Sequence, residues 1–164
     1  MLYFAYGSNM SERRLRERVP SAQKVGVATL PGHQLVFHKK SENDGSGKCN
    51  AYPTLVLDEV VIGILFDLDR SEKILLDGAE GIGVGYEQRT VGLSLDNGSS
   101  YEAFAYFAIC IDPSLKPYHW YKEHVLRGAV ENSLPESYIS SIQCVESIDD
   151  PNSKRAVQEL SIYW

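Results

Sequence analysis

The chain has 164 residues, of which 43% are hydrophobic and 23% charged, and its formal net charge at pH 7 is −6. This length and composition predict one folded domain, residues 1–164, and exclude a disordered or fibrous chain. The acidic balance argues against a nucleic-acid or anionic-membrane partner, because both partners require clustered Lys and Arg.

The first predicted unit is a buried strand followed by a glycine turn and a short helix. The apolar run Leu2 to Tyr6 predicts the strand, and Gly7 to Asn9 predicts the turn. Ser11 is a suitable N-cap for the helix, because its hydroxyl can accept a hydrogen bond from a free backbone N–H. The basic stretch Arg13 to Arg18 is interrupted by apolar and acidic residues, and it therefore predicts a solvated helix face.

The next segments are typical of β-structure. Ala22 to Leu30 and Gln34 to His38 are separated by Pro31-Gly32, so we expect them to form a hairpin. The polar, glycine-rich segment Ser41 to Asn50 predicts a mobile loop. The apolar run Val60 to Leu68 predicts a central strand.

A helix follows from about residue 69 or 71. Its apolar positions Ile74, Leu75 and Ala79 recur at helical spacing, as on the buried face of an amphipathic helix. Several glycines end the helical pattern after Glu80.

The second half of the chain predicts one hairpin and then two helices. Residues 88–95 and 101–109 flank Asp96-Asn97-Gly98, a strong hairpin signal because Asn and Gly tolerate positive φ. Residues 118–130 and 136–145 predict the helices. The hairpins favour an α+β fold with an antiparallel or mixed sheet, which can close into a barrel.

The cysteines and histidines predict neither a disulfide framework nor a metal site. Cys49, Cys110 and Cys144 are odd in number and widely spaced, as in proteins of a reducing compartment. His119 and His124 are five residues apart, which places them on different helix faces. No leader or membrane-spanning segment is apparent. We therefore expect a cytoplasmic protein without metal or cofactor, and a homodimer is compatible with these features.

The turn Gly7 to Asn9 has two interpretations from its residues alone. A turn between a buried strand and a helix N-terminus carries free backbone N–H groups that can bind an anion. Alternatively, Gly7 only makes a tight turn and Asn9 only caps the helix. Glu80 is similarly ambiguous: a carboxylate at a helix carboxyl end faces the unfavourable end of the dipole, and spacing alone favours a solvated side chain there.

Two sets of residues, together spanning residues 2 to about 147, resemble the γ-glutamylcyclotransferase (AIG2-like) family. The first set comprises Leu2 to Met10, Arg14-Leu15, Pro20, Leu76 to Gly81, and Tyr86. The second set follows in the order of the family's helical region and comprises Tyr121, Gly128-Ala129, Glu131-Asn132, Leu134-Pro135 and Tyr138.

The resemblance implies a small mixed or antiparallel β-barrel flanked by helices. It implies a catalytic acid/base at Glu80 and a glutamyl-binding loop at Tyr6 to Asn9, and it makes Tyr86 and Tyr121 candidate substrate-binding residues. The full expected set is catalytic Glu80 with substrate-binding Tyr6, Gly7, Ser8, Asn9, Tyr86 and Tyr121.

The implied reaction is an intramolecular acyl transfer of the lyase class. The α-amine of a γ-glutamyl amide can attack the γ-carbonyl, which closes the five-membered ring of 5-oxoproline and releases an amine. Because that α-amine is largely protonated at neutral pH, a carboxylate must first take its proton, and the same carboxyl group can then protonate the departing amine. The substrate is expected to be a γ-glutamyl amino acid, a γ-glutamyl amine or a γ-glutamyl-protected metabolite.

Two alternatives stay open at this point. One is a binding module of the same fold that holds a small acidic ligand without turnover. The other is a serine hydrolase that uses Ser8 as its nucleophile.

Overall fold

The computed structural model describes residues 1–164 and contains seven strands and five α-helices. The strands are β1 Leu2–Ala5, β2 Gln23–Pro31, β3 His33–Lys40, β4 Gly47–Pro53, β5 Val60–Asp67, β6 Tyr86–Leu95 and β7 Ser100–Ala108. The helices are α1 Glu12–Arg18, α2 Lys73–Glu80, α3 His119–Glu131, α4 Glu136–Gln143 and α5 Ser153–Leu160. No helix is both long and apolar enough to cross a membrane.

Five of the strands close into a barrel in the order β1-β5-β2-β6-β7. Only the contact between β1 and β7 is parallel, and the other pairs are antiparallel. Large apolar side chains such as Phe4, Ile64 and Phe66 are fully buried and belong to the main core. The expected mixed barrel with flanking helices is therefore confirmed, as is the hairpin at Asn97-Gly98, where Gly98 has a φ of 82°.

The predicted hairpin between β2 and β3 is wrong. Both edges of β2 are occupied inside the barrel, by β5 over the whole strand and by β6 near Thr29. Gly32, with a φ of 68°, turns the chain out of the barrel, and β3 pairs with β4 in a separate two-stranded sheet. Gly47 to Asn50 are consequently part of a strand, and the predicted loop is confined to residues 41–46.

The predicted inward face of α2 is also wrong. Ile74 and Leu75 are 74% and 53% exposed, and Ala79 is exposed as well. The buried face instead carries Leu76, and on the same side lies the partly buried Glu80. The reason is that Ile74, Leu75 and Leu76 are consecutive and point in directions about 100° apart on a helix, so only Leu76 reaches the apolar core, while Glu80 at the helix end lines a polar cavity.

Helix α3 supports the turn that follows β1. Residues Ser8–Met10 form one 3₁₀ turn, and α3 lies against it at Gly128. A Cβ atom at Gly128 would lie 2.6 Å from both the Met10 Cβ and the Ser11 backbone nitrogen, so only glycine permits this approach. Asn132, at the end of α3, donates a hydrogen bond of 3.1 Å to the Met10 carbonyl. The turn is thus held from behind by a rigid helix.

Candidate active site

The turn, the end of α2 and a group of tyrosines enclose one small chamber of about 30 Å³. A cavity of this size has room for about two water molecules, so it suits a small group such as a carboxylate or a carbonyl. All seven residues expected from the sequence lie in its wall, together with three that were not expected. The expected ones are Tyr6, Gly7, Ser8, Asn9, Glu80, Tyr86 and Tyr121, and the additional ones are Tyr3, Cys49 and Tyr106.

The turn offers unused hydrogen-bond donors to this chamber. None of the turn and loop hydrogen bonds of the chain uses the backbone N–H groups of Gly7, Ser8 or Asn9. A Cβ atom on Gly7 would lie 3.0 Å from the Cβ of Cys49, so glycine allows β4 to approach the turn closely. The arrangement therefore suits an anionic or carbonyl oxygen near the turn.

Asn9 does not cap the helix, so that interpretation of its side chain is wrong. Its amide nitrogen donates to the Tyr3 hydroxyl at 3.0 Å and to Glu80 Oε1 at 2.8 Å. Its amide oxygen accepts a hydrogen bond of 2.9 Å from Arg18. Asn9 is 3% exposed, and this buried network fixes both orientation and position of its side chain.

Glu80 is the last residue of α2, and the following Gly81 ends the helix with a left-handed φ of 64°. Two donors hold one carboxylate oxygen, because Oε1 accepts from Asn9 at 2.8 Å and from the Arg18 guanidinium at 3.1 Å. Oε2 accepts no hydrogen bond from the protein. The carboxylate at the unfavourable end of the helix dipole is thus compensated by Arg18 and keeps one oxygen free to exchange a proton.

Three tyrosines in the wall of the chamber form hydrogen bonds with the backbone of neighbouring strands. The Tyr6 hydroxyl donates to the Tyr106 carbonyl. Tyr86 donates to the Cys49 carbonyl at 2.6 Å, while the Tyr121 hydroxyl accepts from the Cys49 backbone N–H at 3.1 Å. Burial raises the pKa of Tyr6, Tyr86 and Tyr121 well above the ordinary value, so their hydroxyls stay protonated at neutral pH.

Cys49 contributes a second kind of buried group to the wall. Burial raises the pKa of its thiol to about 12, although the hydrogen bond with Tyr121 acts in the opposite direction. A protonated, fully buried thiol is a poor nucleophile. Cys49 therefore serves as a packing residue whose backbone is fixed by two tyrosines.

The expectation that Arg13 to Arg18 forms a solvated face is wrong for two of its members. Arg14 is 7% exposed and donates a hydrogen bond of 2.7 Å to Glu159, and Arg18 forms an ion pair with Glu80. Arg14 and Arg18 are four residues apart, so they share one face of α1, and that face lies over the site. The spacing was visible in the sequence, but nothing there indicated which carboxylates would face these arginines.

A larger cleft of about 280 Å³ adjoins the chamber and shares Ser8, Glu80, Tyr86 and Tyr121 with it. Polar side chains dominate its wall, and many of them come from α1, from the segment 39–48 and from the end of the chain. The charged ones are Arg14, Arg18, Lys39, Glu42, Asp44, Lys48, Glu80, Arg155 and Glu159. Glu80 thus stands where the narrow chamber meets the open cleft.

Ser8 has no partner of the kind that a serine nucleophile requires. Its hydroxyl makes no hydrogen bond, and no histidine lies in the wall of either cavity. His124 is fully buried behind Arg14, whose Nη1 donates to His124 Nε2 at 2.8 Å. Nor do three or more His, Cys, Asp or Glu side chains cluster so that they could hold a metal ion.

Comparison with known proteins relates this chain to one family. The model of the AIG2-like family matches residues 60–142. The γ-glutamylcyclotransferase of Bos taurus is 31% identical over 153 residues, which cover 90% of this chain and 80% of that protein. The Mus musculus γ-glutamylcyclotransferase is 31% identical over 150 residues, which cover 88% of this chain and 78% of that protein.

The fold agrees with the sequence relationship. A solved structure of a γ-glutamyl cyclotransferase superimposes with a TM-score of 0.86 at 27% identity and covers 99% of this chain and 97% of that one. An uncharacterized protein from Homo sapiens superimposes with the same TM-score at 28% identity, covering 99% of this chain and 98% of that one. Most of the chain is matched in sequence and in structure, and the protein therefore belongs to the γ-glutamylcyclotransferase family of enzymes.

Proposed function

We propose that the protein converts a γ-glutamyl amide into 5-oxoproline and a free amine, with Glu80 as the group that moves the proton. The observation that carries this proposal is the state of the Glu80 carboxylate. One oxygen is held by Asn9 and Arg18, and the other is unengaged at the junction of chamber and cleft. An acid/base needs this combination of fixed position and one free oxygen.

In the first step, Glu80 Oε2 takes a proton from the α-ammonium of the glutamyl group. The neutral nitrogen then attacks the γ-carbonyl carbon, and the new C–N bond closes the five-membered ring while the carbonyl becomes an oxyanion. The N–H groups at Gly7 to Asn9 and the tyrosine hydroxyls can bind that oxyanion or the substrate α-carboxylate.

In the second step, Glu80 first passes its proton to the departing nitrogen and becomes a carboxylate again. The oxyanion re-forms the carbonyl and expels the amine in its neutral form, and the Glu80 carboxylate then takes the excess proton from the ring nitrogen and releases it to the amine or to water. Holding the substrate in a folded pose supplies a further part of the rate, because attack within one bound molecule avoids the entropy loss of a bimolecular reaction.

The end of the chamber formed by the turn suits the glutamyl half of the substrate. Tyr6, Gly7 and Asn9 line the chamber but not the cleft, whereas Glu80 lines both cavities. We therefore place the glutamyl group toward the turn and the leaving amine toward the cleft, with the scissile bond beside Glu80.

The proposal is tested by incubating the purified protein with a panel of γ-glutamyl compounds that contains amino acids, simple amines and larger metabolites. Product analysis in water enriched in ¹⁸O separates the reaction types. Cyclisation gives 5-oxoproline without ¹⁸O, whereas a serine hydrolase gives glutamate that carries ¹⁸O. Saturable binding of γ-glutamyl compounds without any product would instead favour the binding module and refute the proposal.

A further inference from the structure

Lys39 is a buried cation in the wall of the cleft that the proposed mechanism does not use. It lies near the end of β3 and is only 6% exposed. The pairing between β3 and β4 shifts register between Val36 and Lys39, and Phe37, His38 and Lys39 are all buried in succession. A β-bulge breaks the alternation of faces and re-aims a side chain, which explains how a strand lysine comes to line the cleft.

The ammonium group of Lys39 has a defined position. It lies 4.7 Å from the centre of the Tyr86 ring, within the range of a cation–π contact. A Cβ atom at Gly85 would lie 2.5 Å from Lys39 Nζ, so the absence of a side chain at Gly85 leaves the space that the ammonium occupies. The contact with the Tyr86 ring and the space left at Gly85 thus fix the position of the Lys39 ammonium group.

Lys39 differs from the other cations of the cleft because no carboxylate neutralises it at close range. Arg14 pairs with Glu159 at 2.7 Å, Arg18 with Glu80 at 3.1 Å, and Lys48 with Asp44 at 2.8 Å. The ammonium group of Lys39 makes no hydrogen bond and no ion pair with the protein, and the charges of Glu80, Glu42 and Asp44 act on it from a greater distance. A largely buried ammonium without a partner is unfavourable, and an anion that binds beside it removes part of that cost.

The position of Lys39 relative to the two cavities indicates which half of a substrate it meets. Lys39 lines the open cleft but not the narrow chamber, while Glu80 lines both. If the glutamyl group lies toward the turn and the bond to be broken lies at Glu80, Lys39 is on the side of the leaving amine. The anion that it lacks would then belong to the amine that is released.

We propose that Lys39 is a specificity-determining residue, which favours γ-glutamyl substrates whose leaving amine carries a carboxylate over those whose leaving amine is neutral or cationic. This inference rests on the proposed cyclotransferase function, and it assigns to Lys39 a charge-assisted hydrogen bond with the leaving group. Such a bond discriminates between a carboxylate and a neutral amide by roughly 10- to 100-fold.

The test uses three substrates with the same glutamyl half. γ-Glutamyl-alanine and γ-glutamyl-alaninamide differ only in a carboxylate or a carboxamide on the leaving group, and the γ-glutamyl derivative of ethylenediamine releases a cationic amine. We compare kcat/KM for the three compounds in the wild type and in Lys39→Met, which keeps an unbranched stem over Tyr86. Lys40→Met is the matched control, because Lys40 is the next residue and is exposed.

We expect the wild type to prefer γ-glutamyl-alanine over the alaninamide by roughly 10- to 100-fold, and the cationic substrate to be poorer still. Lys39→Met should bring the ratio of acid to amide close to one, mainly through KM for the acid, and Lys40→Met should keep the wild-type ratio. A wild-type ratio near one, or an unchanged ratio in Lys39→Met, would overturn the proposal. An equal loss on both substrates would place Lys39 on the glutamyl half and would also overturn it.

A second variant tests the same contact while the lysine is kept. Gly85→Ala places a methyl group where the ammonium lies, so it should also lower the ratio of acid to amide, and a wild-type ratio in this variant would count against the proposal. Thermal unfolding checks that both variants fold, and Lys39→Met should be no less stable than the wild type because it removes an unpaired buried charge. If no substrate yields 5-oxoproline in the wild type, the cyclotransferase function itself fails; if all three do so equally well, only the role of Lys39 fails.

Discussion

Replacing Arg18 by glutamine removes one of the two donors that hold Oε1 of Glu80. The guanidinium donates at 3.1 Å to this oxygen and at 2.9 Å to the Asn9 amide oxygen, so the substitution loosens both side chains. The two ion-pair partners are 25% and 16% exposed, which means that solvent screens the pair only in part. A hydrogen bond to a charged group contributes about 1.5–3 kcal/mol, and partial exposure favours the lower half of that range.

A loss of about 1.5–2 kcal/mol in the transition state corresponds to a decrease of roughly 10- to 30-fold in kcat/KM. Because Arg18 acts through the position of Glu80, we expect the decrease mainly in kcat. The assay is the rate of 5-oxoproline formation from a γ-glutamyl amino acid at saturating and at low substrate concentration.

Arg13→Gln is the matched control, since Arg13 lies on the same helix, is exposed and makes no ion pair. We expect it to change kcat/KM by less than about twofold. The reasoning is refuted if Arg18→Gln is folded and its kcat/KM equals that of the Arg13 variant, because the ion pair with Glu80 would then have no part in catalysis.

Three further outcomes test the supports of the site. Gly128→Ala should destabilise the fold by about 1–3 kcal/mol because its methyl group clashes with the turn. Gly78→Ala is the control, because its methyl group meets nothing within 4 Å, and calorimetry should show no destabilisation for it. Burial lowers the pKa of His124 to about 4, so the unfolded chain binds a proton before the folded chain does as the pH falls below about 6.5. The free energy of unfolding in urea should therefore be about 2 kcal/mol lower at pH 5 than at pH 7, and equal values would contradict this. Tyr86→Phe leaves the buried Cys49 carbonyl without its donor and should cost about 1–3 kcal/mol in the same unfolding assay, so an unchanged stability would argue against that hydrogen bond.

The barrel strands could be predicted from local patterns because each has a clear apolar run or a strong turn. The hairpin at Asn97-Gly98 is an example, since its register depends on neighbouring residues alone. The partner of β3 could not be predicted in the same way. Pro31-Gly32 looks like a hairpin turn, but the edges of β2 are taken by strands far away in the sequence, and only the closed barrel shows this.

The candidate site could be predicted only where a motif was contiguous. The turn Gly7 to Asn9 and the Glu80-Gly81 pair are such motifs, and their meaning came from the resemblance to a family. Arg18 and Lys39 were not recognised as site residues. A charge on a short basic helix is usually solvated, and a lysine in a strand is usually exposed, so their burial depends on a distant carboxylate and on a β-bulge.

Helix α2 is a second case in which the sequence pattern failed to predict which residues are buried. Its apolar residues Ile74 and Leu75 suggested an inward stripe, yet both are exposed and Glu80 lies on the side that faces the cavity. Amphipathic patterns identify the side of a helix that faces an apolar core. In α2 the apolar residues 74–76 are consecutive and cannot share one face, so only Leu76 reaches the core, while Glu80 at the helix end lines the cavity.

The role of Glu80 is decided by comparing 5-oxoproline formation by the wild type, by Glu80→Gln and by Glu87→Gln, with a γ-glutamyl substrate that the wild type converts. Glutamine keeps the hydrogen bond acceptor for Asn9 and Arg18 but cannot take up a proton, and Glu87 is an exposed glutamate on β6. We expect Glu80→Gln to lower kcat/KM by roughly 10²- to 10⁴-fold while Glu87→Gln stays near the wild type. A folded Glu80→Gln protein with wild-type kcat/KM would show that Glu80 is not the acid/base.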